Sequence, residues 1–497
     1  MRLKIIIPLL LILIIAAFFR IFLITKIPPG LYPDEAMNGN NALEAIKTGE
    51  YKIFYPENNG REGMFINIQA FFLTLIQKNE PWVLRLPSAI FGILTVLGIF
   101  FLAKELFRNS KVALLSSFLL ATSFWHINFS RIGFRAIMAP LLLTWGIYLL
   151  LISFHKGKLL IPILAGFIYG LGFHTYIAYR ITPLIFIPIL WHYRHHENFK
   201  KITALFLLAT FLAFLPLGLY FFENPKDFFG RTTQVSIFAG ESPLKDLALN
   251  SLKTLGAFNF VGDWNWRHNY AGNSLLFWPA GIIFLIGLGI AIISIIKNYN
   301  SKSKNNYDST EVEYAKILRF AFCILILWLI ITSLPVVVSN EGIPHSLRMI
   351  LMIPPVFILA GYGGIKLFEF LVAKSYEAQL RKIWAYALVL LFLGIILYKP
   401  YQTYFIKWGK NKEVENAFAK NYVEIGKEIN KLPLEIPKYI IVEAKGTDVR
   451  GFPMPTQTVM FLTDSFRKEG QIKKNIHYIL PNSENLIPKE AKIFYIK

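Results

Sequence analysis

Two adjacent carboxylates, Asp34 and Glu35, stand about ten residues beyond the first hydrophobic segment, within Pro28-Pro29-Gly30-Leu31-Tyr32-Pro33-Asp34-Glu35-Ala36. At a membrane mouth one such group can take a proton from an attacking hydroxyl. Asp34 is the expected general base and Glu35 its assistant, because neighbours on a helix point ~100° apart and do not share one ligand. Five arginines, Arg61, Arg131, Arg135, Arg180 and Arg348, have the chemistry to hold a lipid-linked phosphate. A guanidinium donates paired hydrogen bonds to phosphate oxygens and keeps its charge in a low dielectric. If that phosphate is also a leaving group, the cations stabilise charge as it develops, and no separate acid is required. His174, Tyr176, Asp263, Arg267 and His345 are candidates for contact with the rest of the substrate.

The elements that must position these groups lie largely in lipid. Charged residues make up 17% of the 497-residue chain, against roughly 25% in soluble domains, and mean hydropathy is +0.47. An α-helical polytopic membrane protein follows. The net charge of +21 would raise nucleic-acid binding in a soluble chain; here it falls largely in short loops, where membrane orientation explains it better. The run Ile5 to Thr25 follows Arg2 and Lys4 and is long enough to span, so it reads as a retained signal anchor, not a cleaved signal peptide. Further apolar runs near 84–103, 111–127, 136–153, 159–175, 178–193, 202–222, 275–296, 317–338, 348–372 and 383–400 give about eleven spans. With the N-terminus inside, the loops bearing Lys104, Lys156, Lys200, Lys297 and Arg381 are all cytoplasmic, as the positive-inside rule requires. The segment 26–83, the long loop 223–274 and the region 402–497 then lie outside.

Residues 34–48 are expected to form a short helix in that first outer loop, stopped at Gly49, with Asp34 as a candidate N-cap as well as a base. Met64 to Ile76 carries Asn67 and Gln69 and is too short to span, which suits an interfacial helix. Residues 1–401 are expected to form the membrane domain. The tail 402–497 is expected to be a small α/β domain, with a helix from Glu413 to Lys431 and strands near Tyr439–Val442 and His477–Leu480. His126, Arg131, Arg135, His174, Arg180, Arg231, Arg267, His345 and Arg348 all fall at outer ends, against the inside bias, so as a group they are expected to face a polar cavity or a partner. Trp264 and Trp266 read as interface anchors, and Cys323 as inert packing. No His, Asp or Glu set shows metal-ligand spacing, so a divalent metal is doubtful and no other cofactor is implied. His195 and His196 belong to a basic inside loop.

The acidic pair combines with Arg85-Leu86-Pro87-Ser88-Ala89-Ile90-Phe91-Gly92, Phe129-Ser130-Arg131-Ile132-Gly133-Phe134-Arg135 and Gly172-Phe173-His174-Thr175-Tyr176-Ile177-Ala178-Tyr179-Arg180. In order and placement the set resembles the GT-C glycosyltransferases. It is most similar to glycosyltransferase family 39 and its relatives, the protein O-mannosyltransferases and the aminoarabinose transferase of lipid A. The likeness covers roughly residues 1–400. It implies a dolichyl- or undecaprenyl-phosphate sugar donor, inversion at the anomeric carbon, and a catalytic role for the acidic motif of the first outer loop. The acceptor would be an envelope lipid, glycan or protein, at the extracytoplasmic face of the cell membrane. Two departures stand out. Where many members carry Lys-Pro-Pro after the first-loop helix, this chain has Asn59-Gly60-Arg61-Glu62-Gly63, so Arg61 is expected to replace that Lys; and Ala136-Ile137-Met138 follows Arg135 where several place an Asp.

A transporter or flippase of a lipid-linked or anionic substrate is the rival reading. Its site is expected near the bilayer midplane, whereas here Arg20 is one of few charges inside a span. A non-catalytic envelope subunit is the third.

Overall fold

The computed structural model describes residues 3–228, 237–239, 242–297, 309–373, 378–481 and 487–497; Arg231 lies outside these. Among the described residues eight helices are long and apolar enough to cross a membrane, beginning with α1 (Leu3–Ile21), α4 (Pro81–Phe107), Arg135–Lys156, which contains α7 (Met138–Lys156), and α10 (Phe199–Glu223). The others are Trp278–Ile296, Glu313–Val337, Ile350–Val372 and Tyr386–Trp408. Three expected spans are shorter: Ser110–Ala121, Leu160–His174 and Ile177–His192. The first is α5; it stops at Thr122, and Ser123 caps a separate helix α6 (Phe124–Phe129) by accepting from the His126 amide. The other two, containing α8 (Leu160–Leu171) and α9 (Pro183–His192), form a hairpin turning at Thr175–Tyr176. His174 bonds the Ala213 carbonyl, 2.9 Å away and ten residues before the end of α10. At 1.5 Å per residue, that turn sits about 15 Å below the end of α10. A recess opens there.

The first connecting segment is folded, not a bare loop. Helix α2 (Pro33–Thr48) starts with Pro33 in its first turn and ends at Gly49, whose φ of 77° lets its amide reach the Ala45 carbonyl. A two-residue hairpin, β1 (Phe54–Tyr55) with β2 (Arg61–Glu62), leads into α3 (Met64–Ile76). That helix is about 20 Å long, too short to span, and it buries Phe65, Ile66 and Gln69 while Phe71 and Leu75 face outward.

Beyond residue 401 the last membrane helix continues to Trp408. Tyr404, Phe405, Trp408 and Phe418 pack with Phe19, Ile27 and Ile127 in one core, so residues 402–418 have no core separate from the membrane helices. The expected helix from Glu413 to Lys431 is two helices, Lys412–Ala417 and Lys420–Lys431, broken where Ala419 adopts φ 50°. A parallel three-stranded sheet follows in the order β4 (Ile476–Ile479), β3 (Lys438–Val442), β5 (Lys492–Ile496). Helix Gln457–Thr463 docks this unit onto α2: Asn40 donates to the carbonyl and the Oε1 of Gln457 at 3.0 and 2.9 Å, and Thr458 donates to the Leu31 carbonyl. Phe461 lies so close to Gly39 that a Cβ there would come within 2.6 Å of its ring.

Candidate active site

Helix α2 sends its two acids to different places. Its N-cap is Tyr32, without a side-chain cap bond, so Asp34 is not a capping residue; the structure corrects that expectation because Pro33 already occupies the first turn. Glu35 points into the protein and is fully buried. Its Oε2 accepts from Arg85 Nε at 2.9 Å and the Gly133 amide at 2.7 Å, and its Oε1 from a second Arg85 nitrogen at 3.0 Å. Arg85 also donates to the carbonyls of Pro28 and Gly30, at 2.7 and 2.9 Å. This pair binds the loop ahead of α2 to α4 and to the turn before α7, and both of its members are sealed from solvent.

Asp34 is half-exposed. One oxygen accepts from Asn58 Nδ2 at 2.9 Å. Burial, with Asp34 as neighbour, pushes the Tyr32 hydroxyl up to about 12, and the Arg267 guanidinium lies 3.8 Å from the centre of the Tyr32 ring. Beside Asp34 the β1–β2 hairpin carries Arg61, whose nitrogens donate to Asn38 and Asn41 at 2.7 and 2.6 Å. Burial first, then the charge of Arg135, brings the Arg61 guanidinium down to about 10. The next residue, Glu62, was not singled out in the sequence, yet it gathers two of the expected phosphate ligands. Arg135 Nε donates to it at 2.7 Å and Arg180 stands 3.8 Å away. Their side chains keep 15% and 20% exposure, so both are reachable.

An apolar groove of 540 Å³ lies beside this cluster, lined by Met64 and Phe71 of α3, Leu171 and His174 beside α8, and Leu212 and Pro216 of α10; Met64 follows Glu62 by two residues, and the charge of Glu62 is felt at His174. Tyr176 packs at the edge of the bundle core.

Other expected residues lie elsewhere. Arg131 is wholly buried, donates to the carbonyls of Phe19 and Ile27 at 3.0 and 2.8 Å, and lies over the rings of Tyr404 and Phe405. It is turned away from the Arg135 cluster. Arg348 is occupied by Ser339 and by Glu341 in its own loop. Trp264 is 69% exposed, as an anchor would be, whereas Trp266 packs on Tyr270 with its carbonyl bonded by Trp408.

Asp263 and His345 meet each other together with His268, which was not among the expected site residues. Asp263 joins two loops: its Oδ2 accepts from the amide and hydroxyl of Ser346 at 2.8 and 2.7 Å, and His268 Nδ1 is 3.4 Å away. Burial opposes the Asp263 carboxylate, but the neighbouring His268 and His345 and the Asn265 amide outweigh it and keep the carboxyl below its ordinary value. Burial lowers both imidazoles, and Arg348 adds to this, bringing His345 down to about 3. Two neutral imidazoles and a carboxylate, with ligand atoms within 4.8 Å of one another, fit a divalent cation. Spacing in sequence hid the set because its members come from separate loops. His268 packs against Phe134, which packs against Tyr32, so the group adjoins the Asp34 side.

Residues 64–220 match the family model described as dolichyl-phosphate-mannose-protein mannosyltransferase. No curated protein matches this chain. Among solved structures, the archaeal oligosaccharyltransferase AglB of Archaeoglobus fulgidus, in complex with an inhibitory peptide and a dolichol-phosphate, superposes with a TM-score of 0.53 at 13% identity. The match covers 93% of this chain and 63% of AglB, so the chain spans less than two thirds of that protein. ArnT from Cupriavidus metallidurans, bound to undecaprenyl phosphate, gives 0.52 at 11% identity over 95% of this chain and 89% of ArnT. The same oligosaccharyltransferase has also been solved as a complex with Zn and sulfate, at 12% identity and a TM-score of 0.51, over 92% of this chain and 61% of that one. The chain therefore shares the fold of AglB and ArnT, a multi-pass helical membrane bundle with a small C-terminal sheet-containing region.

Proposed function

We propose that this protein transfers a sugar from a polyprenyl-phosphate donor, dolichyl or undecaprenyl, to a hydroxyl of an envelope lipid, glycan or protein. One observation carries the reading: a half-exposed carboxylate, Asp34, and two reachable arginines, Arg135 and Arg180, gather around the Arg61–Glu62 hairpin beside an apolar groove. The groove takes the polyprenyl chain and the arginines take its phosphate. Asp34 accepts the proton of the acceptor hydroxyl while that oxygen forms a bond to the anomeric carbon. The bond from carbon to phosphate oxygen breaks, its electron pair leaves with the polyprenyl phosphate, and the carbon inverts. Arg135 and Arg180 neutralise the charge that grows on the leaving phosphate. Glu62 holds both arginines in place before the donor arrives. Asn58 orients Asp34. Glu35 and Arg85 act on the reaction by fixing α2.

A divalent ion would be held by Asp263, His268 and His345, where it would add positive charge and tie the two loops together. The positive-inside pattern puts the Asp34 end on the extracytoplasmic face. The AglB and ArnT structures, described with dolichol-phosphate and undecaprenyl phosphate, support the donor class. The concentration of these groups at one end favours surface chemistry over a midplane transport site.

The test uses the full chain purified in detergent, incubated with polyprenyl-phosphate sugars and envelope fractions. Release of polyprenyl phosphate together with a new glycoside, seen by mass spectrometry, is the expected result. Donor left intact with every fraction overturns the proposal.

A further inference from the structure

A second cavity, of 270 Å³, lies on the other side of the 257–277 loop from Asp34. Its walls come from the end of α5, the loop 260–277, and the helices Trp278–Ile296 and Ala378–Tyr401. Its polar lining includes Lys399, Thr122, Ser123, Asn273, Ser274 and Thr403. Lys399 is half-buried, and the contact its ammonium makes is with the Phe277 ring, 5.8 Å from the centroid; among the described residues no carboxylate pairs with it. A lysine that merely snorkels extends its ammonium away from the bundle; this one lines an internal space. Below the polar lining the wall turns apolar, through Leu119, Phe357 and Ile396. The helices Trp278–Ile296 and Ala378–Tyr401 that flank the cavity expose Ile282, Leu285, Leu397 and Tyr398.

From this geometry we infer that the cavity binds the phosphate headgroup of an anionic membrane lipid, with Lys399 as counter-ion. An uncompensated ammonium among hydroxyls and amides supplies donors matched to phosphate oxygens, and the apolar wall below accepts the first carbons of the lipid. The site is separate from the groove assigned to the sugar donor: none of its residues lines that groove. It stands whether or not the proposed transfer is correct. Asn269 and Tyr270 line it, while Asp263, Arg267 and His268 on the same loop face Tyr32 and Ser346. A bound lipid therefore stiffens the loop from behind.

Full-length protein in mixed micelles with phosphatidylglycerol or phosphatidylcholine is measured by native mass spectrometry and thermal melting. Wild type is expected to retain one more phosphatidylglycerol than Lys399→Met, which keeps the aliphatic stem, and to gain about 2 °C from phosphatidylglycerol at roughly tenfold excess over its Kd. Lys399→Met is expected to match wild type in phosphatidylcholine but lose the gain. Thr403→Val, a milder change, is expected to reduce it. An equal gain from phosphatidylcholine overturns an anionic lipid as occupant, and an equal gain from inorganic phosphate alone overturns a lipid. A Lys399→Met protein that keeps both the lipid and the gain overturns the assigned counter-ion.

Discussion

Asp34 and Glu35 are neighbours in sequence and share the first turn of one helix, yet they occupy opposite environments. Glu35 is sealed between Arg85 and the Gly133 amide, with both oxygens bonded. Asp34 is half-exposed with one bond from Asn58. A saturated carboxylate holds structure; one with a free lone pair near solvent has capacity left for a proton. A similar division separates the arginines: Arg131 is sealed in the core with two of its nitrogens on backbone carbonyls, whereas Arg135 and Arg180 keep part of their surface. Access, not residue type, marks the site.

The largest effect falls on Asp34. Asp34→Asn keeps shape and the Asn58 contact but removes the base, and kcat is expected to fall by about 10²–10⁴-fold. Donor binding and Tm should stay near wild type. If this variant turns over normally, the contrast between the two acids loses its functional meaning. Glu35→Ala is the mirror experiment. Removing one partner of a buried ion pair costs about 3–5 kcal/mol, so the melting temperature should fall and activity follow the folded fraction. In the double variant Glu35→Met, Arg85→Met, stability should recover in part, since no unpaired charge remains. A Glu35→Ala protein that melts like wild type would refute the anchoring role.

The sequence made part of this visible. Apolar runs and basic loops locate the membrane helices because hydrophobic length and loop charge are local properties. The short helix α2 was legible from its spacing and from Gly49. The split of Asp34 from Glu35 followed from helical geometry alone. Glu62 stayed hidden because its role depends on Arg135 and Arg180, which come from other elements. His268 stayed hidden for the same reason: His345 reaches it from another loop. Arg131 misled because an arginine at a span end has two outlets, a ligand or the carbonyls of neighbouring turns, and only packing decides. The role of the tail was also illegible, since its grip on α2 rests on contacts more than 400 positions apart in sequence.

The arginine contrast is tested next. In Arg135→Gln with Arg180→Gln, loss of charged hydrogen bonds at roughly 1.5–3 kcal/mol each should weaken donor binding by at least about tenfold. Arg131→Gln should instead lower Tm and leave the donor affinity of the folded protein unchanged. Equal donor binding in the double variant rejects those two as phosphate ligands.

Smaller effects test how the tail supports α2, through shape or through charge. Gly39→Ala forces a Cβ against the ring of Phe461. Overpacking of this kind costs about 1–3 kcal/mol, and because α2 is the element displaced, kcat should fall along with Tm. The charged contacts of the same interface are exposed: Arg450, with 40% of its side chain in solvent, pairs with Glu44 and Glu57. Such pairs contribute about 0–1 kcal/mol. Arg450→Ala is therefore expected to shift Tm slightly and leave kcat unchanged, read in the same sugar-transfer assay at low and high salt. A loss of kcat in Arg450→Ala that is large at low salt and shrinks at high salt, where the wild-type pairs are screened, would mean that charge, not the Phe461 contact at Gly39, keeps Asp34 in register. The buried and exposed halves of the interface would then exchange roles.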